Sequence, residues 1–397
     1  MQPYHQEERL SVSRIYLDHN ASTPVRPEVL EAILPYFADL YGNASSVHAF
    51  GQEAKGAMEE ARAKVAALLN AAPGEIVFTS GGTESDNMGI LGAARSLASK
   101  GRHVVVSAIE HDAVRHASDA LEAEGFTVTR VAAAANGQVE PGAVAEALRD
   151  DTVLVSVMAA NNETGVVQPS AEIGAVCASR GVAYHIDAVQ AAGKLPIDVQ
   201  AWQASFATIT AHKFYGPKGA GALYVKRGLK PLQLQFGGEH ERGRRAGTEN
   251  VPAIVGLGVA AELAQKELAS VPARIAALRD RLESALLARV PQIVIHGAGA
   301  PRVCNTSHVS FVGAEGEHLI LTLDMKGIAC SSGSACKAGS SHPSHVLLSM
   351  GVPAAIAQTA VRLSLGRCTT EAEIDRVIEL IPPVVQKLRS ASPTFAS

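Results

Sequence analysis

Short runs of β-branched and other apolar residues alternate with Ala- and Leu-rich stretches of helical periodicity from about residue 60 to residue 226. The apolar runs cover residues 76–79, 104–107, 153–157, 182–186 and 206–210. Such alternation is typical of βα units around a mainly parallel sheet. A further run at residues 222–225 follows a Gly- and Pro-rich turn that is too short for a crossover helix, which predicts one antiparallel strand in this sheet.

The pattern changes to long helices after about residue 255. Apolar residues recur on one helix face over residues 275–285, and strand-like runs follow at residues 292–295 and 306–311. We therefore expect two domains, a large α/β domain over residues 15–257 and a small α+β domain over residues 258–397. The first residues of the large domain can pack with the small one.

Each apolar run of the first region is followed at once by polar residues. These are residues 81–85, Glu110 with His111, residues 161–163, Asp187 with Gln190, and His212 with Lys213. In open α/β sheets, ligands bind beyond the carboxyl ends of the strands. The sequence therefore predicts that the five clusters meet in one site.

Lys213 and Asp187 are the polar residues with the most specific chemistry. An amine directly after a strand can form a Schiff base, and a carboxylate on a neighbouring strand end can keep a pyridinium nitrogen protonated. Pyridoxal phosphate needs both partners. Each residue alone has a simpler interpretation, because most lysines are solvated and a carboxylate after a strand often caps the next helix. We interpret the pair as a pyridoxal-phosphate site.

The other polar clusters supply further groups that such a cofactor uses. The turn at Gly82 and Thr83 offers N–H groups and a hydroxyl to a phosphate, although a Gly-Gly turn is more often only a turn. His111 can stack on an aromatic ring or carry protons, and a structural histidine is the alternative. Asn162 can contact a phenolic oxygen or simply start a loop. Gln190 lies on the same side as Asp187 if a helical turn begins there.

Cys336 and Arg362 add a thiol and a guanidinium outside the strand region. Cys336 lies in a run of small residues at positions 331–341 without core-forming side chains, which favours a solvent-reachable thiol over the usual buried one. Arg362, with Arg367 nearby, can bind a substrate carboxylate by a bidentate pair. Surface salt bridging is the alternative for both arginines.

Composition and charge limit the function further. The 397 residues are 47% hydrophobic and 19% charged, and the formal net charge of −4 gives no basic field to attract nucleic acid or anionic lipid. Five cysteines without a C-x-x-C pair favour reduced thiols. No stretch reaches the roughly 18 apolar residues of a membrane span, and the histidines show no metal-ligand spacing. We expect a cytoplasmic protein without a metal and without nucleic-acid or membrane partners.

Together, these motifs resemble those of the NifS/IscS-type cysteine desulfurases, which are fold-type I pyridoxal-phosphate enzymes of aminotransferase class V. The resemblance spans most of the chain and is carried by residues 16–24, 41–46, 80–87, 110–111, 161–165, 210–219, 244–250, 331–336 and 361–367. So many motifs in one order make it specific. It implies an α/β fold-type I transferase with a mainly parallel, seven-stranded sheet flanked by helices, plus a smaller α+β domain.

The resemblance also implies a role for each candidate residue. The implied catalytic residues are Lys213, which binds the cofactor covalently, His111, which stacks over its ring, and Cys336, which takes the sulfur. The implied cofactor contacts are Asp187 at the ring nitrogen, Asn162 and Gln190 at the phenolic oxygen, and Gly82, Thr83, Thr210 and His212 at the phosphate. Thr248 is implied to reach the phosphate in the neighbouring subunit of a homodimer, and Arg362 with Asn162 to bind the substrate carboxylate.

The implied reaction converts L-cysteine to L-alanine and passes the sulfur through a persulfide on Cys336 to an acceptor, such as an iron–sulfur scaffold protein or the tRNA thiolation pathway. At two places the sequence departs from the group's pattern: Thr210 stands where Ser is frequent, and Lys337-Ala338 stands where Thr-Ser is common.

Two alternative functions stay open. A cysteine or selenocysteine lyase would not need Cys336, and a silent assembly subunit would have no chemical need for Lys213, Asp187, His111 and Cys336 together.

Overall fold

A seven-stranded sheet is the largest sheet of the computed structural model, which describes residues 14–333 and 343–391. A short strand, β1 (Ile15–Tyr16), precedes it and belongs to a smaller sheet. The seven strands are β2 (Ile76–Thr79), β3 (His103–Ser107), β4 (Thr127–Val131), β5 (Thr152–Ser156), β6 (Ala183–Asp187), β7 (Phe206–Thr210) and β8 (Gly221–Val225). Their order is β2-β8-β7-β6-β5-β3-β4, and β8 runs antiparallel to both of its neighbours. The predicted mainly parallel sheet and its antiparallel strand are confirmed.

Both faces of this sheet are buried, which explains the apolar runs in its sequence. Val105 packs in one hydrophobic cluster, whereas Val104 and Val106 pack in another. Successive side chains of a strand point to opposite faces, so a strand covered on both sides needs apolar residues at nearly every position.

The strand β4, at one edge of the sheet, is absent from the sequence prediction because most of its side chains are at least partly exposed, whereas β2, at the other edge, is fully buried and apolar. Thr127 and Arg130 are exposed and only Val131 is buried, so this strand lacks the apolar run that marks the others. An edge strand has a neighbour on one side only, which permits polar residues along it.

Helices cover the sheet and build much of the last third of the chain. They are α1 (Pro27–Ile33), α2 (Pro35–Ala38), α3 (Ala49–Leu69), α4 (Gly82–Asn87), α5 (Ala93–Leu97), α6 (Asp112–Ala123), α7 (Pro141–Ala147), α8 (Ser170–Ser179), α9 (Val251–Glu267), α10 (Val271–Arg289), α11 (Gly316–Asp324), α12 (His345–Ser349), α13 (Ala354–Ala357) and α14 (Glu371–Ala391). A π-helical turn, Met88–Gly92, joins α4 to α5. None of the helices in the described ranges has the length and apolar character needed to cross a membrane.

A second hydrophobic cluster surrounds a three-stranded antiparallel sheet. Its strands are β9 (Ile293–Ile295), β10 (Thr306–Phe311) and β12 (Ala360–Ser364), with β10 in the middle. β1 pairs in parallel with β11 (Ile328–Ala329), and Ile15 and Leu17 are buried in the second cluster. The start of the described chain therefore packs with its last third.

The predicted boundary between residues 257 and 258 falls inside α9. Leu257 and Ala260 of this helix are buried in the first cluster, where α9 packs against α3. Ile275 and Leu278 of α10 pack in the second cluster. The core thus changes between the two helices, about ten residues after the predicted position, and the division into two domains stays a prediction.

A buried ion pair ties the segment after β8 to the first cluster. Arg62 of α3 donates from its two terminal nitrogens to the Glu241 carboxylate at 2.8 Å and 2.7 Å, and the side chains are 3% and 1% exposed. The Phe78 backbone N–H donates to the same carboxylate at 2.8 Å. Glu241 has a φ of 48°, which is costly for a residue with a side chain, so these bonds hold the segment in a strained turn.

We predict that Arg62→Ala lowers the free energy of unfolding by about 3–5 kcal/mol, because it leaves the Glu241 carboxylate buried without its partner. Arg95→Ala is the matched control. The Arg95–Glu124 pair is 33% and 38% exposed, so its loss is expected to cost at most about 1 kcal/mol. Urea unfolding followed by circular dichroism measures both changes, and equal losses would contradict the importance of the buried pair.

Candidate active site

A cavity of about 350 Å³ lies at the carboxyl edge of the large sheet. The predicted site residues that line it are Gly82, Thr83, His111, Asn162, Asp187, Gln190, Thr210, His212, Lys213 and Arg362. Thr248 is exposed and does not line this cavity, and Cys336 lies outside the described residues. The polar clusters after five strands are thus brought together, while their individual roles stay predictions.

Lys213 ends a 3₁₀ turn, Ala211–Lys213, that directly follows β7. Its amine donates to the backbone carbonyl oxygens of Asn20, at 2.6 Å, and of Ala21, at 2.9 Å. The side chain is partly buried. Residues near the start of the chain therefore hold this amine at the cavity wall.

Asp187 is the last residue of β6 and is 5% exposed. Its Oδ1 accepts a hydrogen bond from the Val189 backbone N–H at 2.9 Å. Burial raises the pKa of Asp187, whereas the charges of His111 and Lys213 act in the opposite direction. The carboxyl group thus stabilises the turn after β6 and also lines the cavity beside groups that favour its charged form.

Two further buried carboxyl groups, those of Asp86 and Glu110, interact with Asp187. Glu110 belongs to one of the five predicted polar clusters, but neither residue was given a role in the site. Asp86 lines the cavity, and neither its Oδ1 nor Glu110 Oε2 has a hydrogen-bond partner among the described residues. Burial and the charge of Asp187 raise the pKa of Asp86, and burial raises the pKa of Glu110 to about 8. Because three neighbouring carboxyl groups do not all ionise in buried surroundings, we assign the negative charge to Asp187.

The turn between β2 and α4 depends on a small residue at the cavity. A Cβ atom at Gly82 would lie 3.2 Å from the side chain of Val189, so a larger residue would crowd this wall. Thr83 is exposed, whereas Thr210 is buried and its hydroxyl donates to the Ala220 carbonyl oxygen at 3.1 Å. The Thr210 hydroxyl would have to turn its hydrogen away from this carbonyl oxygen to donate to a phosphate.

Two histidines line the cavity from different elements. His111 caps α6, because its Nδ1 accepts a hydrogen bond from the Ala113 backbone N–H at 3.1 Å. In a neutral ring, this bond places the proton on Nε2. His212 Nδ1 lies 3.3 Å from the Ser22 hydroxyl, and burial, together with nearby lysine charges, lowers the pKa of His212 to about 4. His212 is therefore neutral at physiological pH.

Arg362 of β12 reaches the cavity from the second cluster and is 2% exposed. Its Nη2 donates to Asp18 Oδ1 at 2.7 Å, and its Nη1 donates to the Asn162 carbonyl oxygen at 3.0 Å. The buried Nε has no hydrogen-bond partner within residues 14–333 and 343–391. The guanidinium is thus fixed in place and keeps donor capacity for an anion.

Asn20 is a central site residue to which the sequence analysis gave no role. It is 2% exposed, lines the cavity and donates from Nδ2 to Thr306 Oγ1 at 2.8 Å. Its carbonyl oxygen accepts a hydrogen bond from Gln190 Nε2 at 3.0 Å. These partners are 170 and 286 residues away in the sequence, so no local pattern could have revealed the contacts.

The chain on both sides of Cys336 borders the cavity, although Cys336 itself lies outside the described residues. Gly333 and Pro343 both line the cavity. Ser344 donates a hydrogen bond to the buried Glu163 carboxylate, whose pKa is raised by burial to about 7.

The donor set of this cavity fits pyridoxal phosphate. It offers an amine for the aldehyde, a buried carboxylate for the ring nitrogen, an imidazole for the ring face, and amide and hydroxyl groups for the oxygens. The small Gly82 wall leaves room that a Cβ atom would fill. In the part of the chain that the structure describes, no group of three or more His, Cys, Asp and Glu side chains is placed to hold a metal ion.

This chain belongs to the class-V aminotransferase family, whose profile matches residues 15–377. The cysteine desulfurase of Trichormus azollae is 49% identical to it over 382 residues, which is 96% of this chain and 95% of that protein. A solved NifS-like protein has a TM-score of 0.88 and 37% identity, covering 94% of this chain and all of the other. A protein named SspA, solved in complex with cysteine, has a TM-score of 0.80 and 35% identity, covering 90% of this chain and all of the other. The predicted fold class and the NifS/IscS-type resemblance are confirmed.

We predict that Glu110→Gln becomes more stable relative to the wild type as the pH rises from about 5 to about 8. The pKa of Glu110 is about 8 in the folded protein and about 4.3 in an unfolded chain. Unfolding therefore releases a proton across this range, and the wild-type free energy of unfolding falls relative to that of the variant by at most about 1.4 kcal/mol per pH unit.

Urea unfolding at a series of pH values measures this difference. Glu146→Gln, at an exposed position of α7, is the matched control and is expected to follow the wild type. Parallel curves for wild type and Glu110→Gln would show that Glu110 does not hold a proton in the folded protein.

Proposed function

We propose that this protein is a pyridoxal-phosphate-dependent cysteine desulfurase, which converts L-cysteine to L-alanine and transfers the sulfur to Cys336 as a persulfide. One observation carries the proposal: a single cavity is lined by Lys213, Asp187 and Arg362 and by the chain on both sides of Cys336. Similarity over nearly the whole length to a protein named cysteine desulfurase, and to one solved with cysteine, supports the substrate.

The bound cofactor would supply a ring that withdraws electrons from the substrate carbon beside the amino group. In the proposal, Lys213 binds it covalently, Asp187 pairs with its ring nitrogen and His111 covers its ring. The remaining contacts are Asn162 and Gln190 at the phenolic oxygen, and Gly82, Thr83, Thr210 and His212 at the phosphate. The negative charge assigned to Asp187 supports its pairing with a protonated ring nitrogen.

Arg362 and Lys213 are proposed to act on the substrate itself. Arg362 binds the substrate carboxylate beside the Asn162 side chain, using donors such as Nε that its contacts within the protein leave available. Lys213 moves the proton of the α-carbon. The carbonyl oxygens of Asn20 and Ala21 hold its amine at the cavity wall, so the amine stays within reach after it leaves the cofactor.

Cys336 is proposed to be the nucleophile that takes the sulfur. Its thiolate attacks the substrate sulfur, the carbon–sulfur bond breaks with its electron pair going to carbon, and a sulfur–sulfur bond forms on Cys336. Proton uptake by the remaining three-carbon unit gives L-alanine. The sulfur is oxidised as the carbon is reduced, so the step needs no outside oxidant.

A homodimer is proposed, in which Thr248 contacts the cofactor phosphate of the neighbouring subunit. Thr248 is exposed and lies away from its own chain's cavity. Large apolar side chains are exposed in two parts of the sequence. Leu34, Phe37, Tyr41 and Phe50 lie early in the chain, and Phe236 precedes Thr248 by twelve residues; their exposed fractions are 50% to 86%. Such side chains suit a subunit interface. Sedimentation at the mass of one chain would exclude the dimer.

The sulfur acceptor is proposed to be a protein such as an iron–sulfur scaffold, or a carrier in tRNA thiolation. The net charge of −4 supports neither a nucleic-acid nor a membrane partner. A cytoplasmic location is proposed because Cys177, Cys304, Cys330 and Cys368 are free thiols, which suits a reducing compartment.

We predict that the purified protein forms alanine from L-cysteine in the presence of dithiothreitol, and that Cys336→Ala loses nearly all of this activity. The variant lacks the sulfur that attacks the substrate, although its cofactor site is intact. Amino-acid analysis over time measures the product. Cys368→Ala removes an exposed thiol elsewhere, so it serves as the matched control and is expected to keep wild-type activity.

The outcomes separate this function from its rivals. Equal alanine formation by wild type and Cys336→Ala would support a cysteine or selenocysteine lyase, which needs no protein thiol. No alanine from a wild-type protein that binds the cofactor would favour a silent assembly subunit.

A further inference from the structure

Lys194 lies beside the proposed site, and the proposed function gives it no role. It lies four residues after Gln190 in the turn region that follows β6, and its amine donates to Gln190 Oε1 at 2.7 Å and to Asn20 Oδ1 at 3.3 Å. Within the described residues, no carboxylate forms an ion pair with this amine. Lys194 is partly buried, and a lysine withdrawn from solvent usually has a charged partner, so one that is held by two amide oxygens is unusual.

The surroundings of Lys194 are poor in solvent. Its side chain lines a second, smaller cavity, which Lys213 and Cys304 also line. The pKa of Lys194 is lowered to about 7, mainly by burial and in part by the charges of Lys213 and Arg362, while Cys304 acts in the opposite direction. Both protonation states of the amine can donate to Gln190 Oε1, whereas only the neutral form can also accept a hydrogen bond.

The bond from Lys194 fixes which way the Gln190 amide faces. In its ammonium form Lys194 is only a donor, so this form requires the oxygen Oε1 on its side and leaves the nitrogen Nε2 on the other. There Nε2 donates to the Asn20 carbonyl oxygen at 3.0 Å. A flipped amide would place NH₂ against the ammonium and Oε1 against a carbonyl oxygen, and both contacts would be repulsive.

The side-chain amide of Asn20 is also oriented by its hydrogen-bond partners, which fix its oxygen toward donors and its nitrogen toward an acceptor. Its Oδ1 accepts hydrogen bonds from Lys194 and from Asn305 Nδ2, the latter at 3.0 Å, while its Nδ2 donates to Thr306 Oγ1 at 2.8 Å. The backbone carbonyl oxygen of Asn20 in turn accepts from Lys213. A continuous chain of hydrogen bonds thus leads from Lys194 to the amine at the cavity wall.

We propose that Lys194 is a positioning residue: it locks the Gln190 amide so that its NH₂ group, and not its oxygen, faces the phenolic oxygen of pyridoxal phosphate. This inference rests on the proposed cofactor and goes beyond its direct contacts. The Gln190 NH₂ group carries two hydrogens, and its bond to Asn20 uses one of them. The second is the donor that Lys194 keeps on the cofactor side.

The experiment is a double-mutant cycle on cofactor affinity. Cofactor-free, full-length wild type, Lys194→Met, Gln190→Ala and the double variant are titrated with pyridoxal phosphate, and visible absorbance gives the Kd. Each single variant is expected to bind about tenfold more weakly. The double variant is expected to bind no more weakly than Gln190→Ala alone, because Lys194 acts through Gln190. Lys100→Met, at an exposed position, is the matched control and is expected to bind like the wild type.

A second variant keeps the test decisive if Lys194→Met folds poorly. Gln190→Glu has nearly the same shape and gains an ion pair with Lys194, but it presents an oxygen where NH₂ stood. We expect the ion pair to offset the lost hydrogen bond to the Asn20 carbonyl oxygen, so that the thermal midpoint stays near that of the wild type while pyridoxal phosphate binds more weakly. In variants that lose the donor, the pH midpoint of the visible band is expected to rise, because the phenolic oxygen then interacts more strongly with the protonated lysine–cofactor nitrogen.

Three results would overturn the role of Lys194: wild-type affinity in Lys194→Met, wild-type affinity in Gln190→Glu, or losses that multiply in the double variant. These results are independent of the reaction that the enzyme catalyses. A wild type that binds the cofactor but forms no alanine would overturn the proposed function and leave the cycle to decide on Lys194.

Discussion

The carbonyl oxygen of Asn20 is the acceptor on which the arrangement of the site depends. The Lys213 amine and Gln190 Nε2, which follow two different strands, both donate to it, at 2.6 Å and 3.0 Å. The segment around Asn20 is itself held by distant parts of the chain, because β1 pairs with β11 and Leu17 is buried in the second cluster. The position of the amine is therefore a consequence of long-range packing, and a shift of this segment would move it from the cavity wall.

The buried charges around this acceptor are arranged so that few of them ionise together. Asp187 lies beside groups that favour its negative charge, whereas burial favours a proton on Asp86 and on Glu110. His185 Nε2 lies 3.6 Å from Asp86, and burial lowers the pKa of His185 to about 3, so this ring stays neutral. One ionised carboxylate among neutral neighbours is the arrangement that a protonated ring nitrogen requires.

The sequence was sufficient for the parts of the fold and site that depend on local patterns. Apolar runs predicted the buried strands of the large sheet, and the polar residues after them, including Lys213 and Asp187, line one cavity as expected. The edge strand β4 is too polar to produce such a run. Asn20 and Lys194 could not be found in the same way. The role of Asn20 depends on partners that are distant in the sequence. The role of Lys194 depends on its withdrawal from solvent, whereas an isolated lysine in a sequence is normally solvated.

The central claim is that sulfur leaves L-cysteine through chemistry at Lys213 and arrives on Cys336. Mass spectrometry of the Cys336 peptide after a single turnover without reductant tests both parts at once. This peptide is expected to gain the mass of one sulfur atom in the wild type and to stay unmodified in Lys213→Ala. An unmodified peptide in wild type that has formed alanine, or the same gain in both proteins, would contradict it.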